Sequence, residues 1–147
     1  MPTRRTVLGA SLGALLVAGQ AVDAAALAAY QGRKRPLVIF APAADHPLLQ
    51  RQRNDINGNR LALSDRDIVV VYVVAAAVNT EFGSGPGMSG AALRTRFRVG
   101  EGAFRVLLIG KDGGVKLESA APILHGDILS EIDRLPMRRE EIRRRGR

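Results

Sequence analysis

Two runs of strand length carry no polar side chain except one tyrosine hydroxyl, and they restrict the fold more than any other feature. Leu37-Val38-Ile39-Phe40-Ala41 and Ile68-Val69-Val70-Val71-Tyr72-Val73-Val74 do not alternate between apolar and polar residues. A strand with one wet face would alternate. Continuous runs of this kind belong to strands buried on both faces, as in a sheet with helices on either side. The second run is almost wholly β-branched, which favours an inner position in a parallel sheet.

The connections support that reading. Asp45, with Pro47 just inside, is expected to N-cap a helix that runs to about Asn57, with Leu48, Leu49, Gln52 and Ile56 on one face and Gly58 as its stop. Arg60–Asp65 is a short amphipathic piece or loop. Asn79–Gly90 is glycine-rich and reads as a flexible loop, followed by a short helix over Ala91–Phe97. Phe104–Gly110 is a third strand. Lys111-Asp112-Gly113-Gly114 signals a hairpin with positive φ at both central residues, and Val115–Ser119 returns as its partner. Asp127–Leu135 is a terminal amphipathic helix with Ile128, Leu129 and Ile132 inward, and Pro136 interrupts it. The order is β-α-β-α-β-β-α. It describes an α/β domain with a mixed sheet and helices on both faces.

The 147-residue chain has no cysteine. Disulfides, thiolate nucleophiles and Cys-ligated metals are therefore excluded, and the core alone must hold the fold. The N-terminus nevertheless opens like an exported protein. Arg4 and Arg5 precede an uncharged run from Thr6 to Val22, and Asp23 closes it. That run has 17 residues and several glycines, against the roughly 20 apolar residues of a spanning helix. A cleaved signal over residues 1–24 is preferred to an uncleaved anchor, with the cut after Ala24 or Ala26. Thr3-Arg4-Arg5-Thr6 also looks like a twin-arginine address. The expected location is periplasmic or secreted. Residues 25–135 form the domain and residues 136–147 a basic tail.

The formal charge of +8 is unevenly placed. Residues 134–147 hold seven arginines against Glu140 and Glu141, whereas residues 25–133 are close to +2. Nucleic acid is not expected as a partner, because aromatics are sparse and the charge is not spread over a face. A solvated, frayed tail is preferred to weak contact with an anionic surface through the C-terminal arginines; Arg138 and Arg139 are interaction candidates that could also pair with Asp133 or dock on the body.

The order of elements and these residues resemble the thioredoxin-like fold. The place of the redox pair is taken by Ala41-Pro42-Ala43-Ala44-Asp45-His46-Pro47, without cysteine. The stretch Gly102-Ala103-Phe104 lacks the usual proline. A more specific likeness is carried by Arg35–Pro42, Gln52 and Arg66–Val70, then by Phe104–Lys116 and Ile132–Glu140. These resemble the DUF4174 family, which also occurs in matrix proteins of the coiled-coil-domain-containing-80 and sushi-repeat type. The resemblance implies a thioredoxin-like domain outside the cytoplasm and no established reaction.

Asp45, His46 and Gln52 are the candidate ligand-binding residues. Asp45 and His46 take the redox position at a helix N-terminus, where N–H groups favour anions and a histidine can act as acid or base. The plainer alternative is a capping aspartate beside an exposed histidine. Lys111 and Lys116 flank the hairpin tip as a presentation surface or as a charged edge that blocks strand pairing. Arg66 and Asp67 suggest a local ion pair. No catalytic residue, metal site or cofactor is assigned, since His46 and His125 alone make a poor metal set. The function expected is a monomeric, cysteine-free binding or accessory module for an envelope protein or peptide. The alternatives are a non-thiol enzyme using Asp45 and His46, and a surface protein held by its arginine tail.

Overall fold

The computed structural model describes residues 26–83 and 87–146; the export-signal reading and part of the glycine-rich loop lie outside them. Among the described residues five strands form one mixed sheet: β1 (Arg35–Ala41), β2 (Ile68–Val74), β3 (Ala77–Glu81), β4 (Arg105–Ile109) and β5 (Val115–Ser119). Their spatial order is β3-β2-β1-β4-β5. β1 and β2 run parallel, with Ile39 beside Tyr72. β3 is antiparallel to β2, β4 to β1 and β5 to β4. The central strand is therefore β1, and β2 is its inner neighbour.

Every residue of β1 is buried, and β2 is buried from Ile68 to Val73. Alternate side chains enter two cores. One face, with Leu37, Ile39, Val70 and Tyr72, packs against α1 (Pro47–Gly58), α2 (Arg60–Asp65) and α4 (His125–Arg134) through Leu49, Ile56, Leu63, Ile128 and Ile132. The other, with Val38, Phe40, Val71 and Val73, packs against α3 (Gly90–Phe97) and the lead-in at residues 26–33 through Leu93, Leu27 and Tyr30. Helices thus cover both faces, as apolar runs without alternation require.

Several local expectations are corrected. The N-cap of α1 is His46, whose Nδ1 accepts from the Leu48 amide at 3.3 Å; Asp45 lies one residue outside. Pro47 at N1 fixes this, because the cap is the residue just before N1. Gly58 is the last residue of α1 and Asn59 its C-cap, so no left-handed glycine ends that helix. Residues 79–81, expected in a loop, belong to β3. The β2–β3 turn is made by Ala75 and Ala76, and Ala75 takes the left-handed region without being glycine (φ 50°). At the β4–β5 hairpin only Gly113 has positive φ, 85°. The Gly113 amide donates to the Gly110 carbonyl, and the Gly110 amide donates to that of Gly114. This is a three-residue loop with one left-handed position.

The C-terminal segment is not a frayed tail. Pro136–Arg145 forms α5, docked against the entry end of the sheet, and its Arg138 is buried.

Candidate functional site: the carboxyl ends of the central strands

In open α/β sheets ligands bind beyond the carboxyl ends of the strands. Here β1 and β2 end at Ala41 and Val74. The β1–α1 loop, the Ala75–Ala76 turn, the start of α3 and the loop before β4 meet there. Pro42, Ala75, Ala76, Ala91, Arg94 and Glu101 line a cleft of about 370 Å³.

Two devices hold its walls. The Ala75 amide donates to the Ala41 carbonyl at 3.1 Å, which ties the end of β1 to the turn after β2. The Arg94 guanidinium then donates through Nη2 to the same Ala41 carbonyl at 3.2 Å and through Nη1 to the Ala75 carbonyl. Arg94 reaches both because α3 sits directly on the turn. A Cβ at Gly90 would lie 3.2 Å from Val73 Cγ1 and 3.3 Å from the Ala76 carbonyl oxygen. Glycine there permits the close approach.

Asp45 is exposed on the β1–α1 loop. His46 is half-buried, and its ring lies parallel to that of Phe104, 5.9 Å between centroids. Its Nδ1 serves the helix cap as an acceptor, which leaves Nε2 as the free edge of the ring. Among the described residues no hydrogen bond joins Asp45 to His46 and no carboxylate pairs with His46. A base oriented by a third group, the usual sign of an activated histidine, is not assembled there.

The other candidates are placed elsewhere. Gln52 is fully buried beneath the sheet. Its Nε2 donates to the Ile123 carbonyl at 2.8 Å, and its Oε1 accepts from the Ile123 amide at 2.7 Å. Both ends of the amide are thus committed to clamping the β5–α4 connection. Lys111, expected at the surface, is only 8 % exposed. It pairs with Asp67 at 2.8 Å and Glu141 at 2.5 Å, because α5 covers the hairpin base. Lys116 pairs with Asp112 at 2.7 Å across the tip, holding the Asp112 carboxyl below its usual range. Arg139 is exposed on α5.

A polar network occupies the opposite, entry end of the sheet. Arg35 is fully buried and donates to Glu141 Oε1 at 3.1 Å and to the Arg66 carbonyl at 2.9 Å. Arg66 does not pair with Asp67. Both its Nε and Nη2 reach Asp133, each at 2.9 Å, so the two form a bidentate pair. Arg138 bonds Asp65 at 2.9 Å and lies 3.6 Å from Asp133. Burial alone would raise the Glu141 carboxyl, but hydrogen bonds and charge from Lys111 and Arg35 outweigh it and hold it at about 2. Carboxylates neutralise each of these cations, which marks a structural junction, though the Nε atoms of Arg35 and Arg138 make no hydrogen bond.

Sequence reasoning missed Arg94 and Glu101. A signal for Arg94 existed: it adjoins the inward-facing Leu93, and no carboxylate lies three or four residues from it on the helix.

This sheet order and helix placement define a thioredoxin-like fold. A thioredoxin-fold protein from Helicobacter pylori superposes with a TM-score of 0.51 over 70 % of this chain and 69 % of its own, at 15 % identity. Among curated proteins nothing matches. The family model for DUF4174, a domain of unknown function, matches residues 26–141, and the chain belongs to that family. It is a thioredoxin-like domain without cysteines.

Proposed function

We propose that the chain is an exported binding module of the cell envelope, in which the strand-end surface that carries thiol chemistry in a thioredoxin serves recognition instead. The observation that carries the reading is the open cleft at the ends of β1 and β2, beside the Asp45-His46 loop, in a chain with no cysteine. Export is supported by the residues alone: Arg4 and Arg5 before the uncharged run to Val22.

Two experiments test it. Immobilised protein is exposed to envelope extract as wild type, as the double variant Asp45→Ala, His46→Ala, and as Lys116→Ala. A partner lost only in the double variant supports recognition at the strand ends. A partner lost only in Lys116→Ala moves recognition to the hairpin and overturns the reading. Export is tested with Arg4→Lys, Arg5→Lys; undiminished export removes the twin-arginine route, and a chain that stays in the cytoplasm as wild type removes the envelope role.

A second reading draws on α5. Its outer face exposes Arg139, Arg143 and Arg144 beside Met137 and Ile142. Each arginine near an anionic bilayer contributes roughly 1 kcal/mol. Arg139→Glu, Arg143→Glu should abolish sedimentation with anionic vesicles if attachment works this way; unchanged sedimentation discards it.

A further inference from the structure

Four basic side chains are buried among the described residues: Arg35, Arg94, Lys111 and Arg138. Three of them face carboxylates: Arg35 meets Glu141, Lys111 meets Asp67 and Glu141, and Arg138 meets Asp65. Arg94, 7 % exposed, bonds only carbonyls and makes no ion pair with a carboxylate among the described residues. Its Nη atoms hold two carbonyls; its Nε is buried without a hydrogen-bond partner, as are those of Arg35 and Arg138, so the missing carboxylate is what sets Arg94 apart. A charge withdrawn from water needs a counter-charge, and two carbonyl dipoles supply only part of one.

The surroundings limit what that counter-charge can be. Ala91 and Arg94 are three residues apart on α3 and share a face. The first turn of α3, whose dipole end is positive, is therefore one turn away. Pro42, Ala75, Ala76 and Ala91 supply small apolar walls. Glu101 is exposed on the rim, and among the described residues the lining contains no second cation. A doubly charged phosphate would meet one guanidinium, already spending two of its five N–H groups on carbonyls, and a repelling carboxylate. A single carboxylate with a small apolar neighbour fits both charge and walls, and about 370 Å³ lies at the small end of ligand pockets.

We propose that this cleft binds a monocarboxylate, its oxygens paired with Arg94 and its short apolar group against Ala75, Ala76 and Ala91. The inference rests on the strand-end reading above and specifies its ligand. Two sources carry this chemistry: a free small organic acid and the C-terminal carboxylate of a peptide.

The test is a nuclear magnetic resonance titration of the ¹⁵N-labelled protein purified from cells expressing the full chain. The probes are propionate, N-acetyl-Ala-Ala, its C-terminal amide, and inorganic phosphate. Both carboxylates should shift the Arg94 Nε–H and the Ala76 and Ala91 amides saturably, and the amide should not. A Kd at least tenfold lower for the acetylated dipeptide assigns the peptide terminus; equal or weaker binding than propionate assigns the small acid. Ala91→Met fills the cleft from an exposed position and leaves the Arg94 side chain in the protein, and should raise Kd at least tenfold while the thermal melt stays near wild type. Arg94→Lys keeps the charge but loses the fork, and should also weaken binding. Absence of saturable shifts, an equal response to the amide or to phosphate, or unchanged binding in Ala91→Met overturns the carboxylate site. In that event a partner still lost in the Asp45→Ala, His46→Ala variant leaves the strand-end reading standing, and a partner retained there removes both.

Discussion

Glu141 and Arg35 stand 106 residues apart in the chain and meet at 3.1 Å, with the arginine wholly withdrawn from water. The contact joins the first residue of β1 to the last helix. Removing the carboxylate leaves Arg35 buried without its counter-charge and takes one of the two acids from Lys111. Losing one partner of a buried pair costs about 3 kcal/mol or more. Glu141→Gln should lower the urea midpoint accordingly with little change in the slope of the transition.

The same residue sets a pH dependence. Its carboxyl has an ordinary value of 4.5 and is held at about 2 in the fold. Between those values the unfolded chain takes up a proton that the folded chain refuses, so acid favours unfolding. The stabilisation is fully present above about 4.5 and is lost as pH falls toward 2. Asp133, lowered chiefly by its hydrogen bonds from Arg66, acts with the same sign. Urea melts across this range should show a steep loss for wild type and a shallower one for Glu141→Gln.

Gln52 offers a test of its clamp on Ile123. Gln52→Leu preserves much of the volume but orphans the Ile123 amide and carbonyl, each now satisfied by the side chain. An unsatisfied buried group costs about 1–3 kcal/mol, so a loss of about 3 kcal/mol is expected in thermal or chemical melts. A near-neutral result would mean that water enters and replaces the amide.

Truncation separates a strut from a tail. A chain ending after Ile142 keeps Arg138 and Glu141 and should melt close to wild type. One ending after Leu135 loses both and uncovers Arg35 and Lys111 together. It should be poorly folded, with fast amide exchange at the entry end of β1 and β2. Equal stability of the two would return α5 to the role of a solvated appendage.

What the sequence made legible was whatever a local pattern encodes. Leu37–Ala41 and Ile68–Val74 announce strands buried on both faces because nearly every residue is apolar. Ile128 and Ile132 announce a packed helix face by their spacing. β3 was hidden, since Ala77–Glu81 is a half-exposed edge strand without alternation, entered through a turn that forces Ala75 to positive φ with no glycine to mark it. Asp45 was preferred as the cap by residue type, whereas Pro47 fixes it as His46 by position. Lys111 looked like a hairpin-tip lysine, and only α5, folded back from the far end of the chain, makes it interior. Arg94 sits beside an inward leucine, and its need for a distant partner becomes visible only when the ends of β1 and β2 are placed around it.

The docking of α5 also has a consequence in time. All five described strands have been made once Ser119 exists, yet the carboxylate that Arg35 and Lys111 share arrives only with Glu141. A chain that emerges N-terminus first therefore holds Arg35 without its counter-charge, and Lys111 with Asp67 alone, until α5 is made. Closure of this junction thus waits for α5, so a chain arrested before Glu141 leaves the entry end of its sheet unclosed.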